Sequence, residues 1–110
     1  MKGDHIGEFE ELVLLAVRAL DDDAYGVAIK LLLDRETRRD VSIGAVYAAL
    51  DRLEDKGLVR SATRAGVPVR GGRSRRAFDL TAAGVRTLRE MQRVRERLWR
   101  YAPGPAGERS

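Results

Sequence analysis

No cysteine occurs in the 110 residues, which excludes disulfides, thiolate metal sites and cysteine nucleophiles. Histidine is almost as scarce. His5 is the only one, and a lone imidazole so near the N-terminus has neither a second ligand nor an acid–base partner beside it. No apolar run approaches the roughly 20 residues that a membrane-spanning helix needs, and the opening MKGDHIGEFEE lacks the basic start and apolar centre of a secretion signal. A soluble, cytoplasmic protein without membrane contact is therefore expected. No glycine-rich phosphate loop follows a strand, so no constellation suited to general acid–base or nucleophilic catalysis remains. Neither an enzyme nor a cofactor or metal site is expected. The run Asp21-Asp22-Asp23 is followed by no regular ligand spacing, and it reads as a turn with Asp23 capping the next helix.

What is present is arginine, unevenly placed. Arginine supplies 18 of the 21 cationic side chains, and the net charge is +4. Residues 1–59 hold 8 Lys+Arg against 13 Asp+Glu, whereas residues 60–110 hold 13 against 4. The second half is thus strongly basic, and guanidinium forks suit phosphate and guanine better than point charges do. The length fits one domain with a modest core, which a partner subunit would help to complete.

The stretch from Ser42 to Leu80 organises the rest. Ile43, Val46, Tyr47, Leu50 and Leu53 recur at steps of three and four and form the apolar stripe of a helix. Its other side carries Gly44, Ala45, Ala48 and Arg52, a slim face of the kind that can approach the floor of a groove. Ser42 is placed to cap the start, and Lys56 with Gly57 to end it. Leu58 and Val59 then open a strand, and Phe78 and Leu80 return on one face of another. Between Arg60 and Arg76 lie six arginines and no acid. A slim helix followed by an arginine-tipped ribbon is the pattern of a winged helix-turn-helix, one element for the major groove and one for the neighbouring backbone or minor groove.

On this reading Ser42 and the adjoining N–H groups hold a phosphate, while Gly44, Ala45 and Ala48 admit close contact. Arg52 is the main candidate for reading a base. Among the wing arginines, Arg73 and Arg75 are the first candidates and Arg70 and Arg76 the next. Tyr47 has two roles open to it: packing its ring inward, or reaching a phosphate with its hydroxyl. A rival reading keeps the same fold with a protein as partner and the arginines merely solvated.

Two further helices precede this stretch. The first spans residues 8–20, with Phe9, Leu12, Val13, Ala16 and Leu20 facing inward; the second spans residues 24–38, with Val27 and Leu31 inward and Ala28 and Leu32 as further candidates. Thr81 caps a last helix through Tyr101, on which Val85, Leu88, Met91, Val94, Leu98 and Tyr101 form a stripe suited to a two-fold dimer. Packing of that stripe against its own domain is the alternative. The expected organisation is a flexible arm at 1–7, a winged helix-turn-helix DNA-binding domain at 8–80, a dimerisation helix at 81–101 and a disordered tail at 102–110. The fold class is mainly α with a small β-ribbon.

Several pieces together resemble one family. They are Phe9 with the Leu12 to Leu15 run, Tyr25-Gly26-Val27-Ala28-Ile29, the pattern Ser42, Gly44, Tyr47, Leu50, Leu53-Glu54 and Gly57-Leu58, and Gly71-Gly72-Arg73 leading to Phe78, Leu80-Thr81 and Gly84. In this order and spacing they are similar to the PadR family of bacterial transcriptional regulators, over roughly residues 6–100. The resemblance implies a homodimer on an inverted-repeat operator in double-stranded DNA, usually acting as a repressor. With one helix after the wing, the chain resembles the short subfamily, some of whose members bind aromatic compounds between subunits through a tryptophan of the last helix. That pattern makes Trp99 the candidate contact for a small aromatic effector, with packing at the dimer interface as its other reading.

Overall fold

Two side-chain hydroxyls start helices as expected: Ser42 Oγ accepts the N–H of Ala45 at 3.0 Å, and Thr81 Oγ1 accepts that of Gly84 at 3.0 Å. The computed structural model describes residues 5–64 and 75–103. Among them the order is α1 (Glu8–Leu20), a 3-10 turn (Asp21–Asp23), α2 (Gly26–Thr37), α3 (Ile43–Asp55), β1 (Val59–Arg64), β2 (Arg75–Leu80) and α4 (Ala82–Trp99). The fold is the mainly helical winged arrangement that the periodicity indicates.

The two strands pair antiparallel from Val59 opposite Leu80 to Arg64 opposite Arg75. A single bridge joins Tyr25 to Ala77, and the N–H of Phe78 donates to the carbonyl of Ala24 at 3.0 Å. The ribbon is thereby tied to the start of α2. The end of α3 has a defined geometry. Gly57 adopts a φ of 77°, which glycine takes without steric cost, and the N–H groups of Gly57 and Leu58 return to the carbonyls of Glu54 and Leu53, both at 2.9 Å. This glycine stop sends the chain directly into β1.

The core joins Val13, Leu14 and Val17 of α1, Ile29 and Leu33 of α2, Val46, Ala49, Leu50 and Leu53 of α3, and Phe78 of β2. Phe78 is the largest side chain wholly withdrawn from water. Phe9, Leu12 and Leu20 are packed around this cluster.

Four expectations require correction. Asp21–Asp23 form the turn, but Asp23 does not cap α2; Tyr25 occupies that position and the helix begins at Gly26. The inward stripe of α2 is consequently Gly26, Ile29 and Leu33, while Val27 and Leu31 lie 57 % and 58 % exposed. Gly26 faces inward because the Tyr47 ring lies against it: a β-carbon there would stand 2.3 Å from Tyr47 Oη. The arm is docked from His5 onward, since Ile6 is buried in the core and the His5 carbonyl accepts from Lys56 Nζ at 2.8 Å.

The fourth correction concerns α4. Leu88 is buried in the core of its own domain, with Met91 packed against it and Val85 half-buried in the groove between α1 and α4. Only the distal part of the stripe, Val94, Leu98 and Tyr101, is exposed together with Trp99. The helix ends at Trp99, two residues before Tyr101. Of the expected tail at 102–110, residues 104–110 lie outside the described residues.

The junction of wing and α4 is tight. The Leu58 carbonyl accepts the N–H of Thr81 at 3.1 Å, and a β-carbon at Gly84 would lie 2.1 Å from that same oxygen. Backbone cannot yield there as a flexible side chain could. Gly84→Ala should cost about 2–3 kcal/mol and lower the melting temperature by roughly 10 °C; a thermal melt indistinguishable from wild type would contradict this packing.

Candidate nucleic-acid interface

The slim face of α3 follows from what its other face buries. Val46, Ala49, Leu50 and Leu53 point into the core, so Gly44, Ala45 and Ala48 point to solvent. A β-carbon on Gly44 would meet nothing within 4 Å, so the first turn of α3 is open on that side. Ser42 uses its Oγ to cap Ala45, which leaves the hydroxyl proton able to donate elsewhere. Ile43 and Gly44, as the first helical residues, present N–H groups that have no acceptor within the helix. The positive end of the helix dipole adds to them.

The turn before α3 is held by an acid. Asp34 Oδ1 accepts the N–H of Val41 at 2.7 Å while its Oδ2 meets Lys30 Nζ at 2.5 Å. Arg38, at a φ of 59°, closes α2 just before this turn. Lys30 and Val41 both hold the Asp34 carboxyl below the usual carboxylate range.

Tyr47 is half-buried, with its ring against Gly26. That contact lies on the α2 side of α3 and gives the tyrosine a structural task. Tyr47 also lines, with Tyr25, Val27, Leu31 and Arg76, a hollow of about 560 Å³ between α2 and the wing.

Two of the expected DNA contacts are engaged inside the protein. Arg52 Nε donates to Glu10 Oε2 at 2.5 Å, and Lys56 Nζ donates to Glu10 Oε1 at 2.9 Å. Glu10 is buried, on α1, so Arg52 fastens α3 to α1 through Nε while its side chain stays half exposed. Arg76 is likewise occupied. Its Nη2 lies 3.1 Å from Glu54 Oε1 and 3.7 Å from Asp51 Oδ1, and its guanidinium sits 4.9 Å from the centroid of Phe78. Of the other wing candidates, Arg70 and Arg73 lie outside the described residues, and Arg75 is placed on the first rung of β2 opposite Arg64.

The residues that sequence reading missed are the acids. Glu54 Oε2 accepts from Ser61 Oγ at 2.9 Å and from the Ser61 N–H at 3.4 Å. Glu11, beside Glu10 and also buried, binds Arg95 of α4 through both carboxylate oxygens. Two adjacent glutamates of α1 therefore grip α3 and α4 respectively. Their apolar neighbours in the sequence were the available signal, since charged side chains near an inward stripe need partners.

Trp99 stands at the far end of α4, 89 % exposed. With Gln92, Arg95, Glu96 and Arg100 it borders a shallow hollow of about 500 Å³.

A sequence profile of the transcriptional regulator PadR-like family matches residues 14–90, from the middle of α1 into α4. The chain belongs to this family. It is accordingly a regulator of transcription and not an enzyme. The PadR-like chain is 38 % identical over 86 residues to the transcriptional regulator Rv3488 of Mycobacterium tuberculosis, covering 78 % of this chain and 76 % of that one. Its structure is similar to that of a PadR-like transcription factor from Bacteroides fragilis, with 27 % identity, a TM-score of 0.65 and 82 % of each chain covered. It also shares its fold with Bacillus subtilis PadR, solved in complex with operator DNA, at 20 % identity and a TM-score of 0.60 over 89 % of this chain and 50 % of that one. Among the described residues no helix is long and apolar enough to cross a membrane.

The Glu10 cluster makes a testable demand on pH. Burial on its own would raise the Glu10 carboxyl, but hydrogen bonds from Arg52, Lys56 and the Gly7 N–H more than reverse this and hold it at about 2. A carboxyl lowered in the folded state contributes stability above its ordinary value near 4.5 and loses it as pH falls from there toward 2. With the half-exposed Arg52 screened by water, Glu10→Gln should cost about 2 kcal/mol at pH 7. In urea unfolding the gap to wild type should narrow below pH 4.5, and a gap constant with pH would refute the ion cluster.

Proposed function

We propose that this PadR-like regulator binds double-stranded DNA sequence-specifically as a cytoplasmic homodimer and represses transcription from an inverted-repeat operator. The observation that carries the reading is the outward face of α3: a capped first turn with Ser42, Gly44, Ala45 and Ala48 all exposed, beside a ribbon that extends from the same helix. The operator complex of Bacillus subtilis PadR, a protein of the same fold, supports it.

In this reading the first turn of α3 enters the major groove, where the small side chains permit close approach and the Ser42 hydroxyl with nearby N–H groups binds a phosphate. The wing arginines Arg70, Arg73 and Arg75 lie along the adjacent backbone or minor groove. Arg52, held at Nε by Glu10 and half exposed, is the main side chain of α3 for a bidentate contact, and few others on that face can make one. Recognition then depends in large part on DNA shape.

The dimer is formed through the distal stripe. Val94 and Leu98 are exposed on α4, Tyr101 just beyond its end, and Leu15 on α1, which offers a partner copy apolar surface that a single chain leaves in water. Val85, Leu88 and Met91 serve the protomer first. Trp99, next to that surface, is the residue through which a planar aromatic effector would act, its stacking on the indole changing how the subunits pair and releasing the DNA.

The test is an electrophoretic shift assay with the DNA upstream of the protein's own gene. Wild type should bind, and Gly44→Asp should bind at least about tenfold more weakly through like-charge repulsion with phosphate. Its thermal stability should hold, since the site is open and an acid suits a helix start. Equal affinity for the variant would remove α3 from the interface. No shift by wild type would favour a protein partner.

A further inference from the structure

The acid at the end of α3 has no place in the DNA-binding scheme above, yet it is one of the most connected groups in the molecule. Glu54 takes Ser61 of β1 on one oxygen and Arg76 of β2 on the other. Ser61 pairs with Phe78 and Thr63 with Arg76, so a single carboxylate grips both strands within two rungs of the ribbon. The Arg76 guanidinium also lies over the ring of Phe78, which is wholly buried. Ser61 and then Arg76 keep the Glu54 carboxyl below its ordinary range, in keeping with a charge that is already committed.

From this arrangement we infer that Glu54 is a positioning residue that sets the direction in which the wing leaves α3, with Arg76 as its second anchor and not as a DNA contact. The inference rests on the DNA-binding reading. A two-stranded ribbon is marginal in isolation, and on the β2 side it is held at mid-length by the Tyr25–Ala77 bridge and the Phe78 to Ala24 hydrogen bond. Those contacts tie the ribbon to the start of α2. Glu54 ties it to α3, at the Ser61–Phe78 rung and at Arg76 one rung beyond Ala77, and so sets its inclination to that helix. A wing already aimed at the neighbouring groove does not have to be ordered when DNA arrives, which is how preorganisation raises affinity.

The electrostatic expectation has the opposite sign. Glu54 is an acid on the helix that faces DNA, so its removal would tighten binding if charge alone mattered. A positioning role predicts the reverse. Glu54→Gln and Arg76→Gln should each weaken operator binding by about tenfold, and the double variant should be little worse than either, because both break one unit. Hydroxyl-radical footprints should lose the protection given by the wing while keeping that given by α3. Glu54→Gln binding as well as or better than wild type would overturn the inference. So would weakening by Arg76→Gln alone, which would make Arg76 a direct contact.

A second readout needs no DNA. The chain has no cysteine, so spin labels can be placed at Ala48→Cys on α3 and Ala62→Cys on β1, both exposed, with labelled chain diluted into unlabelled. The distance distribution between them should be narrow in the parent and broad in Glu54→Gln. Equal widths would overturn the inference even if the protein bound no DNA, and a broadened distribution without DNA binding would leave it standing while the functional reading failed. Ser61→Ala, a milder change, should broaden the distribution to a lesser degree; should Glu54→Gln not fold, this variant decides between the same two results.

Discussion

The outward face of α3 depends on the burial of its inward one. Val46, Ala49, Leu50 and Leu53 are all fully withdrawn from water, and the valine and two leucines contribute roughly 1.5–3 kcal/mol each when buried. Rotating α3 by a single position would expose most of that stripe. Gly44, Ala45 and Ala48 are thus presented by default, and the glycine stop at Gly57 starts the wing at a fixed point beyond them. Helix, stop and ribbon form one continuous construction.

Around this unit three acids, Glu10 and Glu11 buried and Glu54 half-buried, act as fasteners. Glu10 joins α1 to α3, Glu11 joins α1 to α4, and Glu54 joins α3 to both strands. Each uses an arginine that a count of charges would have assigned to DNA. The strongly basic second half of the chain therefore overstates the cationic surface available to a ligand, because Arg76 and Arg95 are already paired. In the proposed reading, what remains on α3 for DNA is narrower and better directed: helix N–H groups, a hydroxyl and small side chains.

Much of this was legible in the residues. The limits of α1, the caps at Ser42 and Thr81, the stripe of α3 apart from the exposed Ile43, and the return strand follow from periodicity and from hydroxyls at the right offsets, which are local signals. The phase of α2 was not legible, because Leu31, Leu32 and Leu33 are consecutive and satisfy more than one helical register. Tyr47 lying on Gly26 decided it, and that contact is tertiary. The tasks of Arg52, Arg76 and Arg95 were hidden for the same reason, since Arg52 and Arg95 find glutamates 42 and 84 residues away. Leu88 belongs to a sequence stripe that is uniform along α4, and only the packing of α1 divides it into a part for the protomer and a part left exposed.

The most direct measurement is affinity cleavage from the centre of the slim face. An iron chelate tethered at Ala45→Cys, in a chain with no other thiol, would cut DNA wherever the first turn of α3 lies. Cuts clustered on the major-groove side of two half-sites, about 34 Å apart or a multiple of that spacing, are the expected result. Unlocalised cutting, or cutting confined to a minor groove, would contradict the placement of α3 in the major groove.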